Sequence, residues 1–176
     1  MAAGPAGAIA SSVSEPAWRD FVEYVAETVD VGPGTRVFDA GCGAGALLYP
    51  FHENGYVVGG QDGSTERVRL ARAAMPGGQF SVAELSSLDP AEPWDVVACS
   101  TFASIPDPDH ARGVLARVAA KATHAVVILD VPEGRYDRRW MLRAFAEIGV
   151  SAVQMADVRV EGYADAARRF NLFARL

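Results

Sequence analysis

The chain has 176 residues, half of them hydrophobic, and a mean hydropathy close to zero, which suits one globular domain and leaves no room for a second full one. Its net charge of -6, with the Lys and Arg residues scattered apart from Arg138-Arg139 and Arg168-Arg169, argues against nucleic acid as the main partner and for small molecules. No apolar run approaches the roughly 20 residues that span a bilayer, and two cysteines are too few for a disulfide framework, so the sequence predicts a cytoplasmic protein without a membrane partner.

Residues 1–14 are rich in Ala, Gly and Ser, lack Lys and Arg, and are expected to form a flexible tail before a single domain over 15–176. From Glu15 to Asp30, Trp18, Phe21, Val22, Val25 and Val29 recur at helical spacing, and Gly32-Pro33-Gly34 ends that helix. Val37-Phe38 reads as a strand, Ala46 to His52 as a helix, Tyr56 to Gly60 as a strand and Ser64 to Ala74 as a helix. Strands follow at Phe80 to Leu85 and Trp94 to Ser100, then a helix at His110 to Ala122, a strand at Ala125 to Asp130 and a helix at Asp137 to Ile148. This alternation predicts a mostly parallel sheet covered on both faces. Val150 to Val160 and Arg169 to Leu176 read as two more strands with no room for a crossover helix between them, so they are expected to pair antiparallel.

Between the first strand and the second helix stands Asp39-Ala40-Gly41-Cys42-Gly43-Ala44-Gly45, where glycines let a ligand approach the backbone and a helix N-terminus. Gly41, Gly43 and Ala46 also satisfy a loose dinucleotide fingerprint, so a nicotinamide oxidoreductase is a rival reading. Asp39 discriminates: a carboxylate two positions before the first glycine would repel a pyrophosphate. The sulfonium and α-ammonium of S-adenosylmethionine would instead be attracted. Asp62, about 20 residues further on at the end of the next strand, can accept hydrogen bonds from both hydroxyls of a ribose, which either cofactor carries.

With Gly60-Gln61-Asp62-Gly63-Ser64 and Trp94-Asp95-Val96-Val97, this loop resembles the class I S-adenosylmethionine-dependent methyltransferases from about Gly32 onward. The resemblance implies an α/β Rossmann-like fold with a mostly parallel seven-stranded sheet, a C-terminal antiparallel hairpin and helices on both faces. It further implies an enzyme that uses S-adenosylmethionine and yields S-adenosylhomocysteine. By it, Asp39, Gly41, Cys42 and Gly43 line the methionine half of the donor, Asp62 with Gly63 the ribose, Glu84 with Leu85 the adenine edge, and Ser100 lies beside the methyl donor. The family more often has Asp where Glu84 stands. The segment from Gly162-Tyr163-Ala164-Asp165 to Arg169-Phe170-Asn171 is similar to a stretch in a poorly characterised subgroup.

Methyl transfer from a sulfonium needs few catalytic side chains, but a hydroxyl or amine acceptor can call for a general base. Candidates near the ends of the fourth and fifth strands are Asp107, His110, Asp130 and Glu133, of which Asp107 and His110 are the chosen pair. The alternative reading of that pair makes Asp107 or Asp109 a helix cap and leaves His110 facing solvent. Asp62 or Ser64 is likewise open as the cap of its helix. Cys42 is expected to be a small buried residue rather than a nucleophile, and Cys99 to be core. Three isolated histidines make no metal site. Trp18, Phe21 and Tyr24 read as core or as a cover over the donor, and Tyr163 and Asn171 as ordinary strand and turn residues. The acceptor is expected to be a small molecule methylated on oxygen or nitrogen, in a pocket that is open or completed by a second subunit in a homodimer. The rival on the same scaffold is a non-methylating protein that keeps the donor or its product as a structural ligand.

Overall fold

The computed structural model describes residues 15–157 and 169–176, with side chains in the first helix from Val22 onward. The expected tail, and the stretch with Tyr163 and Arg168, lie outside the described residues. So do the side chains of Trp18 and Phe21. The chain runs α1 (Glu15–Val29), β1 (Arg36–Ala40), α2 (Leu48–Glu53), β2 (Val57–Asp62), α3 (Thr65–Ala74), β3 (Gln79–Val82), β4 (Trp94–Cys99), α4 (Pro108–Lys121), β5 (Ala122–Pro132), α5 (Arg138–Glu147), β6 (Val153–Asp157) and β7 (Arg169–Arg175), with short 3-10 turns at Leu85–Ser87 and Phe102–Ser104. Among the described residues no helix is long and apolar enough to cross a membrane.

The strands form one seven-stranded sheet in the order β3-β2-β1-β4-β5-β7-β6. The first five are parallel, and β7 runs antiparallel to both of its neighbours. The expected closing hairpin is therefore present. It places the last strand inside the sheet and leaves β6 at the edge.

Strand periodicity splits the core in two. Val37, Val58, Val96, Ala98, Val127 and Phe173 pack with Val22, Val25, Val29, Leu48, Phe51, Val68 and Met75 on the face covered by α1, α2 and α3. Phe38, Val97, Cys99, Val126, Ile128 and Leu172 pack with Val114, Leu115, Val118, Met141 and Phe145 on the face covered by α4 and α5. Alternate residues of each strand thus reach opposite layers. Both layers hold the central strands rigid where their carboxyl ends meet the loops.

Element boundaries differ from the sequence expectation at several points. Residues 46 and 47 are turn rather than helix, and α2 begins at Leu48. The third strand stops at Val82, where its pairing with β2 ends at Asp62, so Glu84 precedes and Leu85 opens a 3-10 turn instead of continuing the strand. The fourth helix ends at Lys121, and β5 begins directly at Ala122, three residues before its expected start. Lys121 donates to the carbonyls of Asp89 and Glu92, each at 2.8 Å, and its ammonium lies 4.8 Å from the centre of the Phe38 ring. This ties the helix end to the loop before β4.

Trp94 is 2% exposed, and Gly59 of β2 leaves room for its indole. A Cβ on Gly59 would stand 2.7 Å from Trp94 Cζ2 and 2.9 Å from the Gln79 carbonyl oxygen, so strand and ring would both have to move. Gly59→Ala is expected to destabilise the fold by about 1–3 kcal/mol through overpacking. The check is a denaturant midpoint that falls with little change in slope.

Candidate functional site

The sheet order reverses between β1 and β4: β1 is followed outward by β2 and β3 on one side, β4 by β5 on the other. In parallel α/β sheets the crevice beyond the carboxyl ends at such a switch point is where ligands sit. Here it is framed by Asp39 and the glycine loop on one side and by Ser100 and Thr101 on the other.

Gly41 leaves β1 with φ of 87°, a backbone region that favours glycine. A side chain there would also collide with the Thr101 hydroxyl, with Thr101 Cβ only 3.2 Å away. Gly41 N–H and Cys42 N–H both donate to the Gln61 carbonyl at 2.8 and 2.9 Å. The loop is thereby folded back over β2.

Asp62 completes that fold. Its Oδ2 accepts from Gly43 N–H at 3.0 Å and its Oδ1 from Ser64 N–H at 2.9 Å. The cap of α3 itself is Ser64, whose hydroxyl accepts from Arg67 N–H at 3.4 Å. Asp62 therefore bridges the glycine loop and the residue that caps the helix. A carboxylate has about four lone-pair sites, so two remain for a ligand's hydroxyls.

Asp39 is 1% exposed. Its Oδ2 accepts from the Ser100 hydroxyl at 3.4 Å, whereas Oδ1 is buried with no hydrogen-bond partner among the described residues. Burial pushes this carboxyl up to about 7, and the nearby Asp62 charge adds to the effect while Ser100 opposes it. An orphaned buried carboxylate oxygen is costly. A cationic or N–H donating ligand group would satisfy it. Burial, helped by the Asp39 charge, also pushes the Cys99 thiol up to about 12 and raises Cys42. Both thiols are free and buried, as expected for inert residues rather than nucleophiles.

Glu84 is exposed, and its backbone carbonyl accepts from Gln61 Nε2 at 2.8 Å. Its carboxylate lies against Gly63, where a Cβ would come within 2.9 Å of Glu84 Cδ. Gly63 and Glu84 are thus brought together beside Asp62, with half-buried Leu85 next in the turn. Sequence reasoning missed Gln61 and Thr101. Gln61 carried a signal, as an amide at the end of an otherwise apolar strand.

A model of the family described as "Methyltransferase domain" matches residues 37–124, half of the chain and the stretch that builds this crevice. The chain belongs to this methyltransferase-domain family. It is 33% identical over 89 residues to a ubiquinone biosynthesis O-methyltransferase of Bradyrhizobium sp. (strain ORS 278); the match covers 48% of this chain and 35% of that protein, so the chain spans about a third of it. Among solved structures, it resembles a magnesium protoporphyrin IX methyltransferase from Synechocystis PCC 6803 with bound S-adenosylmethionine at 21% identity and a TM-score of 0.72, covering 90% of this chain and 79% of that one. A second is an S-adenosylmethionine-dependent methyltransferase from Clostridium acetobutylicum ATCC 824 at 13% identity and a TM-score of 0.74, covering 96% and 94%. These likenesses extend the methyltransferase fold beyond the matched half.

On the β4 and β5 side of the methyltransferase crevice, the chosen pair is not brought together with Asp39. Asp107 caps α4, its carboxylate accepting from Asp109 N–H at 3.4 Å and His110 N–H at 3.0 Å, and His110 is exposed. Glu133 is held by Arg138 at 2.8 Å. Tyr136 and Phe102 stack edge to face at 5.3 Å, and the Tyr136 hydroxyl donates to the Ile105 carbonyl at 2.5 Å. That contact locks the loop after β4 to the loop after β5. Tyr24 packs edge-on against buried Phe173 but is 37% exposed, so it lies at the rim of the core rather than within it. His124 Nε2–H donates to the Val29 carbonyl at 2.6 Å, a structural role.

Asp39 is ionised in the unfolded chain above about pH 4 but stays neutral in the fold until about 7. The folded state therefore holds the extra proton in that window, and its stability falls as pH rises through it. Asp39→Asn is expected to abolish this component. The check is chemical denaturation at pH 5 and pH 8: the wild-type midpoint should drop between them, and the variant's should drop less.

Proposed function

We propose that this chain transfers a methyl group from S-adenosylmethionine to a hydroxyl or amine of a small organic acceptor, acting as one domain over 15–176 in the cytoplasm. The observation that carries the reading is the buried, half-unpartnered Asp39 carboxylate at the switch point, facing a glycine loop already crowded by Asp62. Asp39 suits a ligand with a cationic methionine half and opposes a pyrophosphate, while Asp62 suits the ribose of either cofactor. The curated relative, an O-methyltransferase of ubiquinone biosynthesis, supports oxygen as the atom methylated.

When bound, the donor supplies a methyl on a sulfonium, a good leaving group for in-line displacement. The protein's task is then to hold and to exclude water. Asp39 takes the α-ammonium and, through its charge, favours the sulfonium. Gly41, Cys42 and Gly43 supply a backbone surface without bulk. Asp62 accepts from the ribose hydroxyls beside Gly63, and Glu84 with Leu85 borders the adenine. Ser100, fixed to Asp39, closes the crevice from β4. Asp107 is taken up as the cap of α4 with exposed His110 beside it, and the pocket is open or completed by a second subunit.

Calorimetric titration with S-adenosylmethionine, S-adenosylhomocysteine and NAD tests the reading. Micromolar binding of the first two and none of NAD is expected; binding of NAD alone would overturn it. Because a bound cation favours ionised Asp39, affinity for S-adenosylmethionine should rise between pH 6 and pH 8 with proton release. The uncharged thioether of S-adenosylhomocysteine should show a weaker dependence.

Asp62→Ala removes the ribose acceptor and the bridge to Gly43 together. A loss of about 1–3 kcal/mol in donor binding is expected, as for hydrogen bonds to a charged group. Unchanged affinity in the same titration would remove the ribose assignment.

A further inference from the structure

The fifth strand does not run regularly to its end. Between Ile128 and Val131 its pairing with β7 slips, and within the slip Asp130 has φ of 55°. That left-handed conformation carries a strain that glycine would avoid, and such strain concentrates where function needs the side chain. It is held from β7. Asn171, 6% exposed within the apolar run of that strand, uses its Oδ1 to accept from Asp130 N–H at 2.9 Å. Arg169 Nη1 donates to Asp130 Oδ2 at 2.8 Å. The Asp130 side chain is 48% exposed, and its Oδ1 has no hydrogen-bond partner among the described residues.

The position matters as much as the conformation. Asp39 of β1 pairs with Ala98 of β4, and Cys99 of β4 with Ile128 of β5. Asp130 therefore lies at the carboxyl end of the sheet, one strand past Ser100 and two past Asp39, about 10 Å across at 4.8 Å per strand. The other acidic candidates on that side are engaged: Asp107 on the helix N–H groups and Glu133 on Arg138. A bulge re-aims the side chain it carries, and this one carries a carboxylate with one oxygen fixed and one open.

Resting on the methyl-transfer reading above, we infer that Asp130 is the acceptor-binding residue: its Oδ1 accepts a hydrogen bond from the hydroxyl or amine to be methylated and so orients that group's lone pair toward the donor. Asn171 and Arg169 are positioning residues, one fixing the strained backbone and the other the carboxylate plane.

The experiment uses the full chain and three variants, Asp130→Asn, Asp130→Gly and Asp130→Glu. Catechol, phenol and benzylamine are the probes. Probe binding to the protein saturated with S-adenosylhomocysteine is measured by calorimetry, and transfer is followed with methyl-labelled S-adenosylmethionine. In the Asn variant the amide oxygen turns to Arg169 and presents NH2 where an acceptor is needed. The best probe should bind at least about tenfold more weakly to the Asn and Gly variants, in line with a lost hydrogen bond to a charged group. Transfer should fall with it, S-adenosylmethionine affinity should stay unchanged, and the Gly variant should melt no earlier than the wild type. The Glu variant should recover part of the transfer.

Wild-type probe binding and transfer in the Asn and Gly variants would overturn the inference alone. A parallel loss of S-adenosylmethionine affinity would overturn it too, by making Asp130 a support of the donor site. Absence of transfer by the wild type to all three probes, with the donor bound, would overturn the methyl-transfer reading and this inference with it.

Discussion

The Asp62 carboxylate ties together two pieces of backbone, the glycine loop and the start of α3. Gly43 N–H belongs to a loop with little side-chain bulk of its own, and Ser64 N–H belongs to the cap of α3; one side chain accepts from both. Unpaired backbone donors in such a setting are costly, so the loop's shape follows from where β2 ends. Parallel pairing of β1 with β2 sets that endpoint, and the glycines of β2 let Trp94 and Cys42 pack against it. The crevice thus inherits its geometry from the sheet's centre, through a charged group that a ligand can share.

Beside it, Asp39 is placed against the ordinary logic of stability. A carboxyl 1% exposed, near a second carboxylate and two buried thiols, gains only one side-chain hydrogen bond in return for its desolvation. Sites built for ligands commonly hold such unfavourable groups. The strained Asp130 is a second costly residue in the same row of strand ends.

Much of this was legible in the residues. Alternating apolar runs and helical spacing gave the element order, because each strand has to feed two core layers. Absence of a helical stretch between the last two strands gave their antiparallel pairing. Asp39, the glycines and Asp62 identified the crevice, because a carboxylate two positions before a glycine loop repels a phosphate and one at the end of the next strand suits a ribose. What stayed hidden depends on neighbours in space. Glu84 and Leu85 leave the strand because β3 is an edge strand that ends with its one partner. The bulge at Asp130 is imposed by Asn171 and Arg169, some 40 positions later. Whether Asp107 or Asp109 capped the helix was open in the residues, and contacts in space assign the cap to Asp107.

The placement of β7 between β5 and β6 has a temporal side. During synthesis both neighbours leave the ribosome before the strand that joins them. Until it arrives, β5 offers the open edge of an almost wholly apolar strand, and β6 has no partner at all. Pairings of β1 with β2 and of β2 with β3 can form earlier from closer segments, whereas the β5 and β7 ladder waits on a long loop closure. An exposed edge of that kind is the surface on which nascent chains join one another or meet a chaperone. Closing the sheet therefore sets Asn171 and Arg169 against Asp130 and covers that open edge in the same event.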